Sequence, residues 1–192
     1  MSAADLHRIM HNGVLFAAKN EHLPMIEAVR LEFSTDQVVS VATDRFVLGV
    51  TRADYSGEAF TTMIDRGDAE RLAKLAKTNG NTVRDVSIES VGNTLVFVFT
   101  TGESVTVTPV DHEFPKYRQL IPTEQRGGVA GHVAVNPAYL AKFTKVITEN
   151  PQLTLSLGAP TKPVGVRVGG DFVGLIMPVR AAETSWDIPA WL

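Results

Sequence analysis

The chain has 192 residues, 44% hydrophobic and 20% charged, with a net charge of −3 and no cysteine. This length fits one large domain or two small ones, and the balance is that of a globular chain with a real core. Lack of cysteine excludes disulfides, thiolate catalysis and Cys-ligated zinc. No run approaches the roughly 20 apolar residues of a membrane helix. Residues 1–12 lack the charged-then-apolar order of a signal peptide, so a cytoplasmic protein is expected. The total charge does not announce a nucleic-acid binder, but a segregated distribution still leaves room for a positive face.

Leu6, Ile9, Met10, Val14, Leu15 and Ala18 recur at helical spacing and predict a first helix over 4–19. Alternating apolar residues predict strands over 26–33 and 39–50 about the polar turn at 34–37, then a short strand near 59–64. Ala69, Leu72, Ala73, Leu75 and Ala76 predict a second amphipathic helix over 68–78, stopped by Asn79-Gly80. Strands at 86–89, 94–100 and 104–110 form a meander turned at Gly92-Asn93 and Gly102-Glu103. Beyond Pro122 and a polar stretch, Asn136 caps a third helix over 137–149 that has Pro137 in its first turn. Strands at 153–157, 164–168 and 172–178 follow.

The pattern is α+β: three units, each a helix followed by strands, with a period of about 60 residues that argues for repeated modules. An ordinary α+β protein with coincidentally spaced elements fits the same pattern.

Four segments in order add specificity. The first is Met25 to Glu32. The second, Val41-Ala42-Thr43-Asp44-Arg45-Phe46-Val47-Leu48, resembles the Val-Ala-Thr-Asp-Gly-His-Arg-Leu signature in the middle domain of the bacterial DNA sliding clamp, the beta subunit of the replicative DNA polymerase. The third, Phe114 to Pro122, is similar to the Phe-Pro-Asp-Tyr-Arg-Arg-Val-Ile-Pro run where that domain hands over to the next. The fourth, Leu175 to Arg180, is similar to the family's Met-Pro-Met/Val-Arg ending. The resemblance implies a DNA-clamp-like fold of three modules. Residues 1–122 would form a complete two-module domain, 123–131 a linker, 132–180 a half-domain like the end of the last clamp domain, and 181–192 an apolar tail. The family's first domain has no counterpart. Arg45, Phe46 and Val47 replace the signature's Gly-His-Arg, and Gln119 stands where arginine is common.

In that family two adjoining modules form a surface pocket for short peptides of polymerases, clamp loaders and repair proteins. Carried over, its wall would be Ile26, Thr43, Arg45, Phe46, Val47, Leu48, Pro115, Gln119, Leu120, Met177, Pro178, Val179 and Arg180. Apolar groups and an adaptable methionine suit aliphatic and aromatic anchors, and Arg45, Gln119 and Arg180 suit orientation by hydrogen bonds. The alternative is that Leu48, Leu120, Met177 and Val179 are ordinary sheet-core residues. The family also lines a DNA channel with its helices. The matching candidates are Arg8, His11 and Lys19 on the first helix, Arg71, Lys74 and Lys77 on the second, and Lys142 and Lys145 on the third. For any one helix, lysines that merely solvate an exposed face explain the pattern as well.

No catalytic, metal or cofactor constellation is expected: the histidines are dispersed, and His7 and His11 lack the glutamate of a metalloprotease motif. The expected function is a non-enzymatic, nucleoid-associated processivity or recruitment scaffold that contacts or encircles duplex DNA, binds partner peptides and forms a homo-oligomer. The alternative is a regulatory mimic that competes for clamp-binding peptides without encircling DNA. The tail, with Trp186, Ile188, Pro189, Trp191 and Leu192, either caps the chain's own sheet or imitates a bound peptide.

Overall fold

Residues 1–78, 83–121, 133–158 and 161–180 are described in the computed structural model. Helix α1 (Ala3–Phe16) starts where Ser2 Oγ accepts the Asp5 N–H at 3.0 Å, and it buries Leu6, Ile9, Met10 and Phe16. It stops three residues short of expectation. The Arg66 guanidinium donates to the Val14 and Ala17 carbonyls, and the chain turns away through left-handed Asn20 and His22. Lys19 therefore lies beyond the helix.

Strands β1 (Ala28–Phe33), β2 (Gln37–Thr43), β3 (Val47–Asp54) and β4 (Phe60–Asp65) follow, and the side chain of Asp65 then caps α2 (Arg66–Ala76). α2 ends two residues before the expected 78, so Lys77 is its C-terminal cap and not a helical residue; Asn79-Gly80 lie outside the described residues. β5 (Val86–Val91), β6 (Thr94–Phe99) and β7 (Ser104–Val107) form the expected meander. β7 ends before residue 110 because Pro109 has no N–H and the Val110 N–H is drawn to the Met63 carbonyl at 2.8 Å.

The third helix, α3 (Pro137–Phe143), begins at the expected Asn136 cap but ends six residues early. Past it the backbone is claimed from outside: Asn12 brackets Ile147 with hydrogen bonds of 3.0 and 2.9 Å, and Thr148 donates to Asp171 at 2.7 Å. A run of β-branched residues, Val146-Ile147-Thr148, favours that outcome. Lys145 is thus off the helix too. β8 (Leu153–Ser156), β9 (Val164–Val168) and β10 (Phe172–Ile176) complete the described elements.

Among the described residues there are two antiparallel sheets, one of seven strands in the order β4-β1-β2-β3-β10-β9-β8 and one of three, β5-β6-β7. The large sheet joins the first and third units directly. Val47 faces Ile176, Leu48 faces Leu175, and Gly49 faces Gly174 across β3 and β10. Strand alternation then sorts the side chains. Val47 and Ile176 enter the core beneath the helices, whereas Leu48 and Leu175 meet Phe114 and Tyr117 of the segment that covers the other face. No helix among the described residues is long and apolar enough to cross a membrane.

Candidate functional site

The turn between β2 and β3 is built by its own side chains. Asp44 Oδ1 accepts the N–H groups of Phe46 and Val47 at 3.0 and 2.9 Å, and Thr43 Oγ1 donates to the Val47 carbonyl at 2.7 Å. Arg45 sits at the bend with φ 79°, the left-handed conformation natural to glycine, which is the residue the resembled signature carries at this position. Its guanidinium pairs with Glu21 at 2.6 Å. Phe46 is thereby held at the surface, 48% exposed, with its ring stacked on Tyr139 of α3 at 5.5 Å and 11°. Lys142 Nζ donates to the other Asp44 oxygen at 2.7 Å and ties α3 to the turn.

Residues 177–180 run alongside. The Met177 N–H donates to the Phe46 carbonyl at 2.8 Å, and that of Val179 donates to the Ala134 carbonyl at 2.9 Å. Met177 and Val179 are 41% and 46% exposed. Phe46, Tyr139, Met177 and Val179 therefore make one apolar strip from both ends of the chain, with Pro178 half-buried and Arg180 exposed beside it. Next to the strip opens a cleft of about 340 Å³ whose wall includes Phe46, Tyr139, Lys19, Glu21, Arg66 and Lys142.

The remaining wall candidates divide. Ile26, Thr43, Val47 and Leu48 are buried, so they shape the surface from beneath and offer none of their own. Leu48 is the sheet-core residue of the alternative reading, whereas Leu120, Met177 and Val179 are exposed. Pro115 and Gln119 line a different cleft, of about 550 Å³, with Arg30, Glu32, Tyr117 and Arg118. There burial alone would raise the Glu32 carboxyl, but hydrogen bonds from Arg30 (2.8 Å) and Arg118 outweigh it and hold the group below its ordinary value. Tyr139 carries no distinct signal in the sequence: an aromatic in the first turn of an amphipathic helix reads as core, and only the structure sets it against Phe46.

The basic candidates also divide. Arg8 is held by Asp5 (2.6 Å) and Asp171 and also donates to the Arg52 carbonyl at 3.1 Å; Lys142 is held by Asp44, and Arg71 by Asp68 at 3.0 Å. Lys74, Lys77 and Lys145 are exposed. Between them His7 Nδ1 donates to the Ala73 carbonyl of α2 at 2.7 Å, and His11 Nε2 donates to the Lys145 carbonyl at 3.2 Å, so α1 links the other two units. Burial chiefly lowers the His11 pKa. The bond to Lys145 partly opposes that, and the charges of His7 and Lys77 reinforce it.

Solved structures share this architecture. The DNA polymerase III beta subunit of Thermotoga maritima superposes with TM-score 0.79 at 14% identity, over 95% of this chain and 65% of that one. The fold is that of a bacterial sliding clamp. The sliding clamp of Bacillus subtilis matches with TM-score 0.78 at 15% identity, over 94% of this chain and 63% of its own. That of Pseudomonas aeruginosa matches with TM-score 0.79 at 17%, over 94% and 66%. The chain thus spans slightly less than two thirds of these clamps. No protein-family model matches it.

Proposed function

We propose that the chain is a sliding-clamp-like scaffold that holds partner peptides on the Phe46–Met177 strip and contacts duplex DNA through its helix layer without reading sequence. One observation carries this reading: the β3–β10 join brings the turn at 44–46, α3 and residues 177–180 into one exposed apolar strip on a clamp fold. Half-exposed aromatic, methionine and valine side chains bind by burial, and the cations beside them orient a peptide. Lys74, Lys77 and Lys145 supply phosphate contacts. The strand β8, exposed along its length with Leu153 and Leu155 outward, offers an edge for another copy, so a closed homo-oligomer is part of the proposal.

The test is calorimetry of the full chain with a clamp-binding peptide. Micromolar binding, equivalent to about −8 kcal/mol, is expected, and Met177→Ala should weaken it. Unchanged affinity in the variant would place the peptide elsewhere. Solution mass with particle shape distinguishes a second reading, a mimic that competes for clamp-binding peptides: a monomer favours the mimic and a closed ring favours encirclement.

A further inference from the structure

Two open strand edges of the described residues match each other. In the first unit β1 is completed on its outer side by β4, from Ala28 opposite Asp65 to Phe33 opposite Phe60. β5 is the equivalent strand of the second unit, but only the start of its edge is taken. Met1 and Val86 exchange hydrogen bonds of 2.9 and 3.2 Å, and the Ala3 N–H donates to the Arg84 carbonyl at 2.7 Å. Strand alternation turns the backbone groups of Ile88 and Ser90 outward along the same edge, and no described strand meets them. Beside them opens a cleft of about 540 Å³ whose wall includes Tyr55, Glu58, Phe60, Ile88, Ser90 and Leu95. The other open edge is β8, the first strand of the third unit. Because the Gln152 carbonyl accepts the Gly169 N–H on the β9 side, alternation turns the backbone groups of Leu153 and Leu155 to the free edge. Their side chains lie on the core face beside Val168 and Val166, 40% and 43% exposed.

We propose that β8 of a second copy adds to β5 as an antiparallel strand, Leu155 opposite Ile88 and Leu153 opposite Ser90, and fills the cleft with these two leucines. This names the receiving surface for the homo-oligomer proposed above and rests on that reading. The register satisfies both edges at once, since outward backbone groups meet outward groups and the core faces align. Ser90, opposite Leu95 on β6, is small and leaves the room that Leu153 of the second copy takes up. Charge agrees as well. Exposed Glu89 and Glu58 make the receiving side acidic, and on the donating side exposed Arg167 faces Thr154. In the joined sheet Arg167 stands two strand spacings from Glu89, about 10 Å, a gap that two long side chains span over a threonine.

The chain has no cysteine, so single-cysteine variants of the full chain read the register directly. Ser87 and Ser156 are exposed and face each other in this ladder as a pair without hydrogen bonds, about 4.5 Å between Cα atoms and within disulfide reach. Under mild oxidation a mixture of Ser87→Cys and Ser156→Cys should form a disulfide-linked dimer that neither variant forms alone. Glu89→Cys with Thr154→Cys, the next pair of the same register, should do likewise and stands in if a serine variant melts below wild type. Glu89→Arg should weaken association by roughly 5-fold, and adding Arg167→Glu should restore it. Cross-linking of Ser156→Cys to Ser104→Cys instead assigns β8 to the β7 edge and overturns the proposal. A dimer of Thr154→Cys with itself pairs β8 with β8 and overturns it too. So does the lack of a cross-link in both mixtures: with an oligomeric mass the homo-oligomer stands and this contact alone fails, whereas a monomeric mass removes both.

Discussion

Gly49 of β3 and Gly174 of β10 face each other across the ladder that joins the first and third units, and a phenylalanine ring lies over each. A Cβ on Gly49 would collide with the ring of Phe16, and one on Gly174 with that of Phe143; the two rings are themselves 4.9 Å apart. The join is therefore packed through absent side chains, which lets α1 and α3 settle close to the sheet on either side of one seam. Gly49→Ala should overpack this seam and destabilise the chain by about 1–3 kcal/mol. Urea unfolding should show a lower midpoint at an unchanged slope. A midpoint equal to wild type would mean that the aromatic seam has slack.

Arg45 leads to a prediction of opposite sign. An L-residue held at φ 79° carries a strain of roughly 1–2 kcal/mol that glycine does not. The exposed pair with Glu21 returns at most about 1 kcal/mol. Arg45→Gly should therefore leave stability unchanged or raise it by up to about 1 kcal/mol, while Phe46 stays in place through Asp44. A clear loss in thermal melting would show that the Glu21 contact outweighs the backbone strain.

The local signals in the sequence carried the fold far. Asn136-Pro137 marked the start of α3, and the polar residues at 34–37 marked the first hairpin. Periodicity placed α1 and α2 and the cap placed α3, and the α+β arrangement of helix-plus-strand units follows from them. What local pattern could not supply was the distant partner. The bracket from Asn12 to Ile147 shortens α3, the Arg66 cap on Val14 and Ala17 shortens α1, and neither pairing leaves a trace within one window. The candidate site behaved likewise. Motif position singles out Phe46, Met177 and Val179, which the fold leaves exposed, but position on a strand does not say which face is covered, and Leu48 and Val47 of the same motif are buried. Arg8 and Lys142 looked free in sequence because Asp171 and Asp44 are far from them along the chain.

His11 makes stability depend on pH. In the folded chain its pKa lies below the ordinary 6.5, so below that pH the unfolded chain binds more protons than the folded one. The stabilisation is present above about pH 6.5 and is lost as pH falls through it toward the folded value. Melting temperature should accordingly decline from pH 7 to about 5, the window in which histidine titrates. His11→Gln has no such titration and can still donate to the Lys145 carbonyl, so its decline should be shallower. Parallel curves for the two proteins would assign the pH dependence to other groups.

The exposed cations of the helix layer give the last prediction, and their different environments make it graded. Lys74 on α2 and Lys77 at its C-terminal cap are exposed and have no ion pair among the described residues, whereas Arg8 is occupied by Asp5 and Asp171. If the layer meets phosphate, each free lysine that contacts DNA releases counterions, and its loss lowers the slope of log affinity against log salt by about 1. Lys74→Glu/Lys77→Glu should therefore weaken binding to two unrelated duplexes equally and flatten that slope by about 2. Arg8→Gln should leave the slope nearly unchanged, since its charge is already met within the chain, and any effect should appear in the melting temperature instead. Binding is compared across a salt series on both duplexes, with circular dichroism confirming the fold. A loss confined to one duplex would mean that bases are being read. An unchanged slope in the double variant would take α2 out of the DNA-facing surface, and with it the claim that the helix layer serves this chain as a phosphate-binding wall.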